Sequence, residues 1–382
     1  MPSEKENTPL HISIDKDDAA RHDSPKSGGT PRSSTGWDGK LRVEKKAELA
    51  NPEALSDPEY SDEEQVLPGE TLEADEDLLD DYPSDTEEID CVHARVSSIP
   101  ALRLERFKAV TRLCLRQNSI TEIEGFSCLA ATLKELDLYD NLIAHIRGLG
   151  DLTNLTSLDL SFNKIKHIKK LDPLVNLTDI YFVQNKISTI ENLDSLTKLR
   201  NLELGANRIR EIQNLDNLTG LEELWLGKNK ITEIKGLDAL KNLKILSIQS
   251  NRIRQISGLD SLTSLEELYI SHNALSSLSG LENVRGLRVL DVSSNQIPNI
   301  TGLKNLDNLE EFWASYNQIS DFAEVESELK DKEKLTTVYF EGNPLQLKSP
   351  ALYRNKVRLM LPQVMQIDAS KLSLIHNMII LY

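Results

Sequence analysis

The stretch Leu133–Asn154 reads LKELDLYDNLIAHIRGLGDLTN, and the residues that follow it, Leu155–Asn176, read LTSLDLSFNKIKHIKKLDPLVN. Both fit the frame L-x-x-L-x-L-x-x-N-x-I-x-x-I-x-x-L-x-x-L. Looser copies of the frame place Asn118 before the regular run and Asn343 after it. A fixed period of this length predicts one structural unit stacked many times along an axis. The asparagine of the frame returns every 22 residues, at Asn141, Asn163, Asn185, Asn207, Asn229, Asn251, Asn273, Asn295 and Asn317.

Each repeat has two halves with different spacings. The half L-x-x-L-x-L predicts a short strand whose alternate side chains point to opposite faces, so that its leucines turn inward. The half I-x-x-I-x-x-L-x-x-L has three-residue spacing and predicts a return through short helical or 3-10 turns. Between them, a turn leaves backbone groups facing inward, and we interpret the asparagine column as a ladder of buried amides that pair with those groups. An asparagine row that binds a ligand is the less favoured alternative.

This pattern is the leucine-rich-repeat signature. It predicts an α/β fold, a right-handed horseshoe-shaped solenoid with a parallel sheet on its concave side and short helical or 3-10 returns. Stacking buries the leucines of neighbouring repeats as one column, so that only the two ends need covering. The segment Asp321–Lys334 replaces a normal return with a longer acidic stretch of helical character. Residues 344–369 are then expected to fold over the exposed end of the column.

Charge is distributed unevenly along the chain, whose formal net charge is −17. Residues 56–90 contain 16 Asp and Glu and no Lys or Arg, whereas residues 91–382 contain 35 residues of each sign. Self-repulsion and few large apolar residues predict a disordered arm, which either solubilises the chain or contacts a basic partner surface. The predicted parts are a disordered acidic arm (1–88), a degenerate N-terminal capping repeat (89–110), repeats of about 22 residues (111–334), a C-terminal repeat and cap (335–369) and an atypical apolar tail (370–382).

Several kinds of segment and site are missing from the sequence. It has no apolar N-terminal leader and no stretch long enough to span a membrane. Its cysteines, Cys91, Cys114 and Cys128, form no paired end cap, which favours a reducing compartment. We find no phosphate-binding loop, nucleophile elbow or metal-spaced Cys/His set, so the sequence predicts neither an enzyme nor a cofactor or metal. His145 and His167 occupy equivalent places in adjacent repeats. They offer only two ligands, so we favour a chance pair of surface residues over a metal site.

The residues that alternate with the buried leucines face out of the predicted concave sheet in two columns. Aromatic residues make up 5% of the chain but half of the first column. That column holds Asp137, Asp159, Tyr181, Glu203, Trp225, Ser247, Tyr269, Asp291, Trp313 and Tyr339. Two residues earlier, the second column is mainly acidic, with Arg112 as the one basic residue of both columns, and its carboxylates are Glu135, Asp179, Glu223, Glu267 and Glu311.

These two columns predict a protein-binding surface. Strand propensity accounts for aromatic residues on strands, but it does not account for the carboxylates between them. Tyr and Trp supply most binding hot spots, and interleaved carboxylates steer a partner with a basic or mixed surface toward them. An acidic face repels the phosphate backbone, so we expect neither nucleic acid nor a membrane as a partner.

The strands LDLYDN, LDLSFN, LELGAN, LWLGKN and LYISHN, with the end segment NPLQ…YRNKV…QIDA, resemble the leucine-rich-repeat regulatory subunits of protein phosphatase 1, the regulatory subunit 7 family. The resemblance runs from about Ile89 to Ala369, and residues 370–382 depart from the short ending of that family. It implies a non-catalytic regulator, mainly nuclear and also cytoplasmic, that binds the phosphatase catalytic subunit and acts in mitotic chromosome segregation. A further phosphatase inhibitor or regulator is the second partner that the resemblance allows.

In that family the contact runs through the concave face. Carried over by position, the resemblance assigns the contact to Asp159, Tyr181, Glu203, Trp225, Asp291, Glu311, Trp313 and Tyr339. Because spliceosomal and tubulin-related proteins share the same repeat class, an adaptor in a ribonucleoprotein or tubulin-related complex is the alternative function. For the apolar tail three explanations stay open: an extension of the cap, a partner contact, and a misread exon boundary, which we favour.

Overall fold

The structure, a computed structural model, describes residues 78–371 of the 382-residue chain. In this range one sheet of 14 strands follows strict chain order. Neighbouring strands are parallel from the first to the thirteenth, and the last pair is antiparallel. This confirms the predicted solenoid with a parallel concave sheet. The strands are β1 Glu88–Asp90, β2 Arg112–Cys114, β3 Glu135–Asp137, β4 Ser157–Asp159, β5 Asp179–Tyr181, β6 Asn201–Glu203, β7 Glu223–Trp225, β8 Ile245–Ser247, β9 Glu267–Tyr269, β10 Val289–Asp291, β11 Glu311–Trp313, β12 Thr337–Tyr339, β13 Gln366–Ile367 and β14 Ser370–Lys371.

Each strand of the regular repeats buries its central residue and turns its two outer residues toward the open side of the sheet. In β6, for example, Leu202 is buried between the half-buried Asn201 and Glu203. Leu202 pairs in register with Leu224 of the next strand, one repeat further along the chain. The buried residues of all repeats form one continuous apolar column, as leucines at a fixed period require.

The return half of a repeat runs through single turns. Leu152 N–H donates to Leu149 O (2.9 Å) and Leu155 N–H donates to Leu152 O (3.0 Å), which is the 3-10 type of hydrogen bond. Each such turn is too short to count as a helix in the regular repeats. Within the described residues, 3-10 helices occur near the N-terminal end, at Pro100–Leu102, Leu104–Arg106 and Ser127–Leu129.

The asparagine column forms the predicted amide ladder. Asn207 Nδ2 donates to Phe182 O of the preceding repeat (2.8 Å) and to Leu204 O of its own repeat (3.1 Å). Its Oδ1 accepts from Ile187 N–H at 3.0 Å. Phe182 O also accepts from Asn185 Nδ2 at 3.2 Å, so one carbonyl is shared by two amides. The ladder therefore joins neighbouring repeats through buried or half-buried polar groups that are hydrogen-bonded.

The N-terminal end of the fold begins earlier than the sequence predicts. Residues 78–88, which we assigned to the arm, pack against the first turn of the solenoid. Leu79 is only 1% exposed, and Tyr82 OH donates to Asp90 O at 3.1 Å. These contacts cover the otherwise open end of the apolar column. The rest of the predicted arm, up to residue 77, lies outside the described residues.

The C-terminal end of the described chain contains three helices and the last two strands. The acidic stretch forms helix α1 (Phe322–Leu329), and the cap adds α2 (Pro344–Leu347) and α3 (Pro350–Met360). Tyr353 OH donates to Asp368 Oδ2 (2.9 Å), which ties α3 to the segment that follows β13. Strand β14 extends the predicted cap boundary at residue 369 by two residues, and the tail from residue 372 lies outside the described part. No helix within residues 78–371 has the length and apolar character needed to cross a bilayer.

Candidate functional site: the concave sheet face

The first column predicted from the sequence forms one row across the sheet. It consists of the third residue of each strand, and neighbouring members are paired in register. Asp159 pairs with Tyr181, Tyr181 with Glu203, and Glu203 with Trp225. Seven of the eight predicted contact residues lie in this row, and Glu311 lies two residues before Trp313 on β11. The parallel sheet therefore brings all eight onto one face.

Four aromatic side chains on this face form a contiguous set that we call the ring array: Trp225, Tyr269, Trp313 and Tyr339. The ring centroids of Trp225 and Tyr269 lie 6.4 Å apart, nearly stacked at 17°. Tyr269 and Trp313 meet edge-on at 6.2 Å, as do Trp313 and Tyr339 at 5.7 Å. Strands β7, β9 and β11 are each two spacings apart, about 10 Å, so these rings lean across the strands between them. The distances suit attractive aromatic contacts.

The leaning rings cover the short residues of the intervening strands. Ser247 on β8 is 1% exposed and Asp291 on β10 is 9% exposed, although both point toward the open side of the sheet. The expectation that Asp291 faces solvent is therefore wrong. Its Oδ1 accepts from Ser293 N–H at 3.0 Å, which ties it to the turn after its own strand. Asp291 contributes negative charge beneath the rings rather than exposed contact area.

Each of three rings is held by a glutamate two residues earlier on the same strand. The glutamate carboxylate accepts from the polar hydrogen of the ring, which fixes the ring and keeps the negative charge beside it. These hydrogen bonds are Trp225 Nε1 to Glu223 (3.2 Å), Tyr269 OH to Glu267 (2.7 Å) and Trp313 Nε1 to Glu311 (3.0 Å). The fourth ring, Tyr339, accepts at its hydroxyl from Gln366 Nε2 (2.6 Å). The ring array is thus held in place before any partner arrives.

The N-terminal half of the face is acidic. Burial raises the pKa of Glu203, and the neighbouring carboxylates of Asp159 and Glu223 raise it further. Burial also raises the pKa of Tyr181, with Asp179 adding to the effect. Burial is the larger cause of both shifts, and the neighbouring carboxylates add a smaller contribution that disfavours further negative charge on this part of the face.

Two arginines neutralise the acidic residues at the beginning of the sheet. Arg112 Nε lies 3.6 Å from Glu135 Oε2, and Arg116 lies 3.3 Å from Asp137 Oδ2. The negative charge that no arginine on this face offsets therefore begins at Asp159, on β4. The uncompensated carboxylates and the ring array together occupy β4 to β12.

Tyr269 is a central member of the site that the resemblance did not supply. It stands between Trp225 and Trp313 and contacts both rings. The column of alternating residues already contained it, and the repeated pattern Glu-apolar-aromatic on β7, β9 and β11 is the signal that marks it. This repeated pattern was sufficient to assign Tyr269 to the site, because it places a glutamate two residues before each of the three rings.

The histidine pair shows no further ligands. His167 Nδ1 lies 3.1 Å from Glu191 Oε1 on the return half of the repeats. Within residues 78–371, no group of three or more His, Cys, Asp or Glu side chains is placed to hold a metal ion.

Comparison with known proteins agrees with this architecture. The family model "Leucine Rich repeats (2 copies)" matches residues 219–261 and 263–305, and the model "Leucine rich repeat" matches residues 108–165. The chain has the leucine-rich-repeat fold. Among solved structures, an internalin (InlF) from Listeria monocytogenes is 25% identical with a TM-score of 0.60, covering 75% of this chain and 87% of that one. A leucine-rich-repeat protein of Leptospira interrogans is 24% identical with a TM-score of 0.56, covering 69% and 74%.

Two curated relatives of this leucine-rich-repeat protein are phosphatase subunits. Protein phosphatase 1 regulatory subunit SDS22 of Schizosaccharomyces pombe is 54% identical over 84 residues, which are 22% of this chain and 24% of that protein. The subunit of the same name from Saccharomyces cerevisiae is 48% identical over 88 residues, 22% and 26% of the two chains. The chain thus spans about a quarter of the length of these relatives, at an identity that confirms the resemblance seen in the strands.

Proposed function

We propose that this leucine-rich-repeat protein is a non-catalytic regulatory subunit that binds the catalytic subunit of protein phosphatase 1 through its concave face. The observation that carries the proposal is the ring array beside a row of uncompensated carboxylates, in a chain similar to two SDS22 regulatory subunits. A nuclear location and a role in mitosis stay predictions of the resemblance.

The ring array has the properties of a binding hot spot. The four rings are half-buried, so each still has surface to lose to a partner. The polar hydrogens of Trp225, Tyr269 and Trp313 are already bonded. A partner that docks on fixed rings spends little conformational entropy on ordering them. Trp and Tyr in such positions commonly contribute 2 kcal/mol or more each, to order of magnitude about 30-fold in Kd.

The acidic half of the face specifies the chemistry of the partner. Glu203 and Asp159 are carboxylates of the row that no arginine on this face offsets, so a lysine or arginine of the partner is favoured there. The expected partner surface is therefore basic over β4 to β6 and apolar over β7 to β12.

The test is binding of the purified phosphatase catalytic subunit to variants of the full chain. Trp313→Ala removes the ring that contacts both Tyr269 and Tyr339, and we expect it to weaken binding by about 2 kcal/mol or more, roughly 30-fold. The fold should persist, because the neighbouring core residue Phe312 is untouched. The measurement is a titration by calorimetry or biolayer interferometry at moderate salt.

The matched control is Tyr316→Ala, which removes an aromatic side chain of the same repeat that is 52% exposed and outside the ring array. It should leave the affinity close to that of the unmodified chain. If the double variant Trp313→Ala with Glu203→Ala kept full affinity for the phosphatase, the proposed function would be refuted. Recovery of tubulin or an RNA-bound protein in place of the phosphatase would favour the adaptor alternative.

A further inference from the structure

A strip of basic side chains follows the rim of the solenoid on the side where the strands end. In five consecutive repeats the residue directly after the ladder asparagine is Lys or Arg. We call these residues the basic strip: Lys164, Lys186, Arg208, Lys230 and Arg252. The equivalent positions on either side of the strip are Leu142 and Ala274, so the charge is confined to these five repeats.

Backbone hydrogen bonds hold the strip in line. Lys164 N–H donates to Ile143 O (2.8 Å), and Lys186 N–H donates to Ile165 O (2.9 Å), each one repeat back. The same bond recurs at every member, so successive side chains are stacked at about the strand spacing, 4.8 Å, and the strip is about 19 Å long. A second, shorter row of positive charge lies two residues further along alternate repeats, at Lys166, Arg210 and Arg254.

On the opposite rim, where the strands begin, neighbouring repeats carry charges of opposite sign. There Arg288 lies between Glu266 (3.2 Å) and Glu310 (2.9 Å), so charges of opposite sign alternate from repeat to repeat. On the strip, like charges stand directly above one another, an arrangement that stacked strands usually avoid. Among residues 78–371, the ion pairs include none with Lys164, Lys186, Arg208 or Arg252. Lys164, Lys186, Arg208 and Arg252 therefore carry charge that no carboxylate among the described residues offsets by an ion pair.

We propose that the basic strip is the docking site of the acidic segment of this same chain, residues 59–77. That segment contains nine Asp and Glu and no Lys or Arg. The concave face repels it, because the face carries uncompensated carboxylates, whereas the strip attracts it. Docking on the rim covers the strip and leaves the ring array open to another protein.

The segment reaches the strip from where the described chain begins. Residue 78 packs at the first turn, and the strip begins beside β4, three strand spacings or about 14 Å further along the axis. Nineteen residues span up to about 60 Å when extended, which covers this distance, the width of the solenoid and the strip itself. A segment tethered within reach has an effective concentration on the order of millimolar, which favours it over a separate acidic peptide.

The test is zero-length cross-linking of carboxylates to lysine amines in the full chain, followed by mass spectrometry. We expect cross-links from residues 59–77 to concentrate at Lys164 and Lys186. The control lysines are Lys241 and Lys348, which are also exposed but lie away from the strip. Because the Debye length falls to about 3 Å near 1 M salt, the cross-links at the strip should fall there to the level of the controls.

Two further comparisons decide the outcome. The double variant Arg208→Gln with Arg252→Gln removes charge without removing a cross-linkable lysine, and it should lower the yield at Lys164 and Lys186. The matched variant Arg288→Gln, on the opposite rim, should leave that yield unchanged. Equal yields at strip and control lysines would overturn the proposal. So would cross-links that form only between chains, which a mixture of isotopically light and heavy protein reveals.

Discussion

Replacing Asn207 with alanine should cost the protein about 2–4 kcal/mol of its free energy of unfolding. The change leaves Ile187 N–H, whose partner is Asn207 Oδ1, buried without an acceptor, at a cost of roughly 1–3 kcal/mol. The carbonyl groups that accept from the Asn207 amide lose less, because each keeps a second hydrogen bond. Phe182 O keeps the amide of Asn185, and Leu204 O keeps that of Asn229, so the bonds lost there add only about 1 kcal/mol.

Asn207→Asp separates the loss of the acceptor for Ile187 N–H from the loss of the donor to the carbonyl groups. Aspartate keeps an oxygen that can accept from Ile187 N–H, but it replaces the donating amide with a carboxylate that faces the carbonyls of Phe182 and Leu204. Because Asn207 is 7% exposed, that carboxylate would be both desolvated and repelled. We therefore expect Asn207→Asp to be less stable than Asn207→Ala at neutral pH and to recover on acidification.

The assay is urea unfolding monitored by circular dichroism, with amide hydrogen exchange as the local readout. Asn207→Ala should lower the transition midpoint and accelerate exchange at Ile187. The matched control is Asn154→Ala, which removes bonds to Ala130 O and Ala131 O that are exposed to water, and should change stability by less than about 0.5 kcal/mol. The predicted contribution of the ladder to stability would be wrong if Asn207→Ala and Asn154→Ala lost the same free energy of unfolding. It would also be wrong if the amide of Ile187 stayed protected from hydrogen exchange in Asn207→Ala.

Two further predictions concern the acidic face and one turn. Glu203→Gln should raise the free energy of unfolding at pH 7, since burial and neighbouring carboxylates raise the pKa of Glu203 in the folded chain and so weaken folding above it. In denaturation curves that advantage should vanish below about pH 4, where the unfolded chain is protonated too. Gly148→Ala should destabilise by about 2 kcal/mol or more, because Gly148 has φ +69° and an added Cβ would collide with Ile123 O. Gly150→Ala, whose Cβ would have its nearest neighbour at 3.9 Å, should stay within about 0.5 kcal/mol, and urea unfolding of both glycine variants measures the difference.

The sequence predicted what its period controls. A residue spacing of 22 places Asn185 and Asn207 one above the other, so their role as a ladder follows from the pattern alone. The same reasoning placed Trp225 and Glu203 on the open side of the sheet. These features depend on which way a residue points, and strand alternation fixes that direction.

Features that depend on side-chain reach were not predicted. Asp291 was expected to face solvent, but Tyr269 and Trp313 meet above it because large rings span two strand spacings. The place of a residue in a repeat column gives the direction of its side chain, but it does not show whether side chains on neighbouring strands cover it. The early beginning of the fold was missed for a related reason. Leu79 lies within an acidic run, and its burial arises from packing on an end turn that local composition does not register.

The backbone of a repeat protein is nearly the same in every repeat. Backbone shape alone would therefore let a partner bind equally well at positions one repeat apart. Here the side chains forbid that shift. The rings at Trp225, Tyr269 and Trp313 occupy every second strand, so a shift of one repeat would place a side chain that fits between two rings on top of a ring instead. Carboxylates at one end and rings at the other also exclude a reversed orientation. For the partner proposed above, the composition of the face therefore specifies a single position and a single orientation on a repetitive scaffold.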